Sequence, residues 1–299
     1  MKTVFGLILM MCAAPASAGS IETLGRLASP ELIETSGIAA SERQLNVVWG
    51  VNDSGHAPLL HAFATDGADL GAIRIRGVRN FDWEDLASFV LNGIPYLLIA
   101  DTGDNQARRS VSNLLVVVEP EPGVDGKYAG VADIVARLPF RYEDGPRDCE
   151  AVAVDVATDR VLLVSKRDIP AAVYELPLTL VSGIRRPLIA RRIASIDALP
   201  RPTVAEALES PLLGPWRYQP TAIDIADDGA AMAVMTYQNL YLFRHSSGQG
   251  WGDSLSAAPQ VVPLPALSQT ESVAFMDDRI IVVAEGRAAP VLSISPVPR

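Results

Sequence analysis

Five short segments along the chain repeat one pattern, a polar or acidic residue followed by alternating small apolar positions. They are SGIAAS from Ser36, EDLASF from Glu84, EAVAVD from Glu150, TAIDIA from Thr221 and ESVAFM from Glu271. A second apolar run follows each (NVVWGV, YLLIAD, VLLVSK, AMAVMTY, IIVVAE), then a third (LLHAFA, LLVVVE, AVYELP, LYLFRH, PVLSIS). A fourth appears for all but the last: AIRIRG, IVARLP, IARRIAS and QVVPLP. The runs are short, β-branched or alternating, and bounded by Gly, Pro, Asp or Asn, so they read as strands. Four strands per unit, recurring at roughly fifty to seventy residues, predict an all-β chain folded as a β-propeller of five four-stranded blades. Six blades is the alternative count. The stretch 195–220 is read as an insertion because of its prolines and its lack of alternation, and a helix is expected only near 203–209 (TVAEALE).

The last unit lacks a fourth run. IETLGRLAS (21–29) supplies one, and its GRLAS echoes RRIAS at 191–195. Residues 21–28 are therefore expected to pair beside 290–295 and close the ring. Such pairing would cover an edge that otherwise invites association.

Antiparallel order within a blade puts the connections into the first strand and out of the second on one face of the disc. Entering the first strands are Glu34 and Ser36, Asp82 and Glu84, Asp148 and Glu150, Thr221, and Glu271. Leaving the second strands are Asn52 and Asp53, Asp101 with Asp104 and Asn105, Lys166 with Arg167, Tyr237, and Glu285. Glu84, Glu150 and Glu271 occupy one position in three blades and are expected to converge near the axis. Like charges in one funnel raise each other's pKa, and a hard cation or a basic partner relieves them. Carboxylates with Asn and backbone carbonyls nearby suit Ca²⁺ better than zinc, and the histidines share no zinc-like spacing. DTGDN (101–105) has the glycine and spaced acids of a cation-holding loop.

The expected metal ligands are Asp53, Glu84, Asp101, Asp104, Glu150 and Glu271, with Asn52, Asn105, Lys166 and Arg167 as substrate contacts. The competing reading makes the glutamates tethers between neighbouring blades, and gives Lys166 and Arg167 to internal ion pairs. NDSGH (52–56) reads as a turn and not a nucleophile–base pair. Trp83 is expected between blades, and Trp49 and Tyr96 in the core. Cys149, flanked by Asp148 and Glu150, is expected to have a raised pKa and to be a poor nucleophile.

Composition narrows the classes. The chain of 299 residues begins MKTVFGLILMMCAAPASAGS, with Lys2, an apolar run from Val4 to Ala14, and Ala16-Ser17-Ala18 as a small-residue cleavage site. This reads as a secretory signal peptide cleaved near Ala18, too short an apolar run to span a bilayer. Bulky residues before Cys12 argue against a lipoprotein. A secreted or periplasmic product is expected, with residues 19–299 as one domain. Loss of the leader leaves Cys149 alone, so no internal disulfide forms. The formal net charge of −10 disfavours nucleic acid and anionic membranes as partners. A cation, a small anionic or ester substrate, or a protein or glycan ligand fits better, and the chain is expected to be a monomer.

Taken together, SGIAAS, WGVNDSG, NFDWEDLAS, YLLIADTGDNQARR, DCEAVAVD, LLVSKRD and IIVVAEG resemble a family of secreted bacterial β-propellers similar to the propeller phytases and phytase-like esterase domains. The resemblance covers most of the mature chain. It implies a metal-dependent hydrolase of phosphate or other esters, with Asp53, Glu84, Asp101, Asp104 and Glu150 as calcium ligands and Lys166 and Arg167 as a phosphate hook. The phytases have six blades, where this chain counts to five. Lactonases of the gluconolactonase type, with one channel cation, are a second structural parallel. A non-catalytic propeller binding a protein or glycan is the remaining class.

Overall fold

The computed structural model describes residues 20–181, 183–209, 214–267 and 269–295. The leader and its cleavage site lie outside the described residues. The first described strand is β1 (Ser20–Arg26). Four antiparallel quartets and a last set of three strands follow. The first is β2 (Thr35–Ala40), β3 (Val47–Asn52), β4 (Leu59–Ala64) and β5 (Asp69–Ile75). The second is β6 (Trp83–Leu91), β7 (Ile94–Asp101) and β8 (Ser112–Val118), completed after the two-residue β9 (Val131–Ala132) by β10 (Ile134–Tyr142). The third is β11 (Cys149–Asp155), β12 (Arg160–Ser165), β13 (Ala171–Pro177) and β14 (Leu188–Ile196). A connection carrying α1 (Val204–Glu209) and a 3₁₀ turn (Gly214–Trp216) leads to β15 (Pro220–Ile225), β16 (Ala231–Thr236) and β17 (Asn239–Arg244). The short helix α2 (Trp251–Leu255) precedes β18 (Gln260–Pro263), and the chain continues through β19 (Thr270–Met276), β20 (Arg279–Ala284) and β21 (Pro290–Ser295).

β1 pairs antiparallel with β21, from Ser20 opposite Ser295 to Arg26 opposite Pro290. Parallel contacts between β10 and β14 join the second and third quartets into an eight-stranded sheet, and β9 adds to β5 at the edge of the first. The innermost strands touch in the order β2, β6, β11, β15, β19 and back to β2. No helix among the described residues is long and apolar enough to cross a membrane.

Local sequence explains these elements. The inner strands are built from Ala, Val, Ile, Gly and Ser because their backbones approach closely. A Cβ on Gly37 would sit 2.5 Å from the Asp85 Cα, so only glycine fits where β2 meets β6. Larger side chains fill the space between quartets. Trp83 is fully buried beside Trp49, Ile99 and Leu115 between the first and second quartets, as its place in the sequence predicts. Trp49 and Tyr96 are buried as well.

The described residues between β14 and β15 carry the helix α1, where the sequence predicts one over 203–209. That helix is capped reciprocally: Thr203 Oγ1 accepts from the Glu206 amide at 3.2 Å, and Glu206 accepts from the Thr203 amide at 2.8 Å. The helix α2 had no counterpart in the sequence reading. Five residues are too few to display a helical period, and it is held by tertiary bonds, Trp251 Nε1 donating to Asp155 at 2.9 Å.

Candidate functional site

Each inner strand opens with the same irregularity. Pairing with the second strand slips by one residue between Thr35 and Gly37, Trp83 and Asp85, Cys149 and Ala151, Pro220 and Ala222, and Thr270 and Ser272. The five residues skipped are Ser36, Glu84, Glu150, Thr221 and Glu271. A bulge re-aims the side chain it carries, and here it does so at equivalent places in all quartets. Two of the five tie neighbouring inner strands: Ser36 Oγ donates to the Glu84 carbonyl at 2.8 Å, and Thr221 Oγ1 to the Thr270 carbonyl at 3.0 Å. The three glutamates instead face an open cleft of about 410 Å³, shared with Asp53, Asn105, Lys166, Arg167 and Tyr237.

Two carboxylate triads meet there, Asp53 with Asp82 and Glu84, and Glu84 with Asp148 and Glu150. Within each, one oxygen per residue lies within 4.8 Å of the others. Glu84 belongs to both. Gly103 makes the room: a Cβ there would lie 2.5 Å from the Asp82 carboxylate and collide with that of Glu84. Burial, then the charges of Glu150, Asp53 and Asp82, push the Glu84 carboxyl well above the usual range, with only Lys166 opposing. Burial and the Asp53 charge push Asp82 up to about 6.

The far side of the funnel is neutralised from within. Lys166 forms an ion pair with Glu150 and donates to the Tyr237 oxygen at 2.9 Å, and Tyr237 in turn donates to Glu271 at 2.7 Å. Burial works against the lysine's charge, but Glu150, Tyr237 and Glu271 outweigh it and hold the ammonium protonated. Glu150 is pushed up to about 8, chiefly by burial, with Lys166 opposing and Glu271 adding. Glu285 is pushed up to about 10 by burial and by its hydrogen bond to Glu271. At neutral pH this wall therefore carries protons as well as charge.

The residues singled out from the sequence separate into two groups. Asp53, Glu84, Glu150, Glu271, Asn105, Lys166 and Arg167 line one cleft. Asp101, Asp104 and Asn52 do not. Asp101 is held at 2.8 Å by Arg109 and faces a different cleft. Asp104 accepts from the amides of Arg108 and Arg109 at 2.8 and 2.6 Å, so its charge shapes its own loop. The Asn52 amide accepts from the backbone N–H groups of Ile33 and Glu34 and donates to the Glu31 carbonyl.

Arg167 is a mixed case. It donates to Asp148 at 2.6 Å and binds Asn105, while its guanidinium stacks 4.5 Å from the Trp216 ring at the mouth. The set chosen from sequence omitted Asp82 and Asp148, although both had been located at strand entries. Their place one residue before Trp83 and Cys149 repeats the Asp-x-Glu spacing of DWE and DCE, the signal that could have found them. Cys149 is buried and its thiol is pushed up to about 12 by burial, as its acidic neighbours suggest.

Comparison with known proteins bears on the fold. The PQQ-bound aldose sugar dehydrogenase of Streptomyces coelicolor is similar over 94% of this chain and 99% of its own, with 12% identity and a TM-score of 0.50. The major Malassezia sympodialis allergen Mala s 1 is similar over 90% of this chain and 95% of its own, with 12% identity and a TM-score of 0.55. These are β-propeller-like folds, and the chain is all-β and propeller-like with them. At this identity the likeness extends to the fold alone. No family model matches the chain, and no curated protein matches it.

Proposed function

We propose that the chain is an exported five-bladed β-propeller, its ring completed by β1, whose funnel binds Ca²⁺ and hydrolyses a phosphate or other ester with the cation's help. One observation carries this reading: Glu84 belongs to two carboxylate triads and, with Asp53 and Glu150 of those triads, lines one solvent-accessible cleft. The donors are hard oxygens with no nitrogen or sulfur among them, which suits calcium. Gly103 keeps the space between Asp82 and Glu84 clear of side chain. Asp53, Asp82 and Glu84 would hold the ion, with Glu150 shared between it and Lys166, and Asp148 held behind them by Arg167 and the Asp104 amide.

A bound cation supplies positive charge that polarises an ester or phosphoryl oxygen and acidifies water. The chain's own residues do the rest. Arg167, stacked on Trp216 at the mouth, meets an incoming anionic group. Glu285, whose proton burial and the hydrogen bond to Glu271 hold tightly, would keep that wall from adding to the funnel's negative charge.

A second reading has its own observation. The Lys166–Tyr237–Glu271 chain satisfies half the funnel internally, as a non-catalytic module for a protein or glycan would need. A lactonase with one channel cation is the third form of the same site.

Metal analysis of the purified protein, followed by phenyl phosphate, phenyl acetate and a γ-lactone as substrates, separates these readings. Hydrolysis that EDTA removes, calcium restores and Glu84→Gln abolishes supports the enzyme, and preference among the three substrates names its class. Bound calcium without turnover of any substrate supports the binding module. A protein that takes up no calcium refutes the site.

A further inference from the structure

Between the first and second quartets, outside the funnel, lies a separate cleft of about 310 Å³. That volume is at the lower end of the range for small-molecule sites, roughly 300–1,000 Å³. One wall is the connection from β5 into β6, contributing Arg79 and Phe81, and the other is the sheet of the second quartet, contributing Asn113, Leu115 and Arg137. Leu115 on β8 and Arg137 on β10 are directly paired, so both project from the same face of that sheet.

The charge balance here is opposite to that of the funnel. Asp101 lies in the lining, but Arg109 neutralises it at 2.8 Å while also donating to the carbonyls of Asp101 and Gly103. Arg79 and Arg137 remain. Neither makes a hydrogen bond or an ion pair among the described residues, and the Arg137 charge is felt only at a distance, by Asp101. The Asn113 side chain is likewise without a hydrogen bond.

Arg79 and Arg137, set with the Asn113 amide around one concavity, leave a group of donors without an acceptor. Arginine's planar fork matches carboxylate and phosphate oxygens. Phe81 stands 67% exposed at the rim over this group, an apolar face with nothing packed on it.

We propose that this cleft binds a small organic anion, a carboxylate or phosphate carried on a flat apolar body. Arg79 and Arg137 grip the anionic end, Asn113 donates a further hydrogen bond, and Phe81 stacks on the body. The proposal is independent of the funnel's chemistry, since it uses none of the funnel's residues.

Calorimetric titration of the full chain with benzoate, phenyl phosphate, inorganic phosphate and neutral benzyl alcohol tests it. Saturable 1:1 binding of benzoate or phenyl phosphate is expected, tighter than that of inorganic phosphate, with none for benzyl alcohol. The preferred anion tells a carboxylate site from a phosphate site. Arg79→Gln and Arg137→Gln should each weaken binding roughly tenfold or more, whereas Arg186→Gln, an exposed arginine outside both clefts, should leave it unchanged. Phe81→Ala should weaken phenyl phosphate but not inorganic phosphate. Arg137→Lys, which keeps charge and loses the fork, provides a milder variant should Arg137→Gln impair folding. Absence of saturable binding up to about 10 mM, or binding that the arginine variants leave intact, or equal binding of benzyl alcohol, would overturn the proposal.

Discussion

Glu84 and Asp85 are adjacent, buried, and both pushed to hold protons more tightly than a free carboxyl, chiefly by burial. Their partners differ. Asp85 points into the ring of inner strands and accepts from the amides of Leu86 at 2.8 Å, Val152 at 2.7 Å and, at 3.5 Å, Ile223. It thereby links β6 to β11 and reaches β15. Asp224 does the same on the other side, accepting from Ile225 and from Phe275 of β19. Glu84 accepts only a long contact from Ser36 at 3.3 Å and faces other carboxylates. One belt of acids fastens strands, and the rim above it collects charge with few donors. Buried carboxylates whose oxygens are filled by backbone amides belong to the fold, and those facing like charges are available for a ligand.

Removing the Asp85 carboxylate should have the largest effect. Asp85→Ala leaves two well-bonded amides of the inner ring without acceptors, a loss of about 3 kcal/mol. That corresponds to a fall in Tm of about 6–12 °C for a domain of this size. Asp85→Asn, which keeps one acceptor, should fall between. Thermal melts of the three proteins check this, and a D85A protein melting with the parent would dissolve the distinction between belt and rim.

Glu84→Gln should behave in the opposite way. In EDTA it should melt no lower than the parent, because a repelled carboxylate has been removed. Calcium at about a hundredfold excess over its Kd should stabilise the parent by about 2.7 kcal/mol and the variant far less. A Tm equally raised by calcium in both proteins would locate the ion elsewhere.

The smallest expected effect is the pH dependence without calcium. Near pH 3 the folded and unfolded chains both hold these protons. As pH rises, the unfolded chain releases them near the ordinary value of 3.8, while folded Asp82 retains its proton to about 6 and Asp224 to about 7. Stability therefore falls between about pH 4 and 7, by about 1.4 kcal/mol per pH unit for each such proton at most. Calcium should flatten the fall if the rim is its source and leave it if Asp224 is. A Tm that stays flat over that interval would show that both carboxyls titrate normally.

Much of this was legible beforehand. The repeated opening of the inner strands marked Glu84, Glu150 and Glu271 as equivalent, and their common cleft follows from that. What alternation could not supply is which acid of DWED faces where. Every residue of the inner strands β11 and β19 is buried, as is the start of β6 from Trp83 to Ala87, so no polar-out face exists to read, and the slip in register at Glu84 breaks the period of two. The use of Asp101 by Arg109, eight residues on, and of Asp104 by its own loop, depends on a loop geometry with no periodic trace. Opposite charges in DTGDNQARR were a visible hint that those acids already had partners.

The pairing of β1 with β21 also has a kinetic side. Ser20 Oγ donates to the Ser295 carbonyl at 2.9 Å across 275 positions of chain. Few contacts in a protein of this size are less local, and non-local pairing is slow to form. A chain synthesised from its N-terminus makes β1 first and its partner last, so β1 waits while every quartet between them is built. Until it docks, β21 presents a bare edge, with Val291 and Leu292 beside it. The strand of a second molecule can fill that edge as well as the chain's own, so dimers formed by strand exchange are the characteristic misassembly expected of refolding at high concentration.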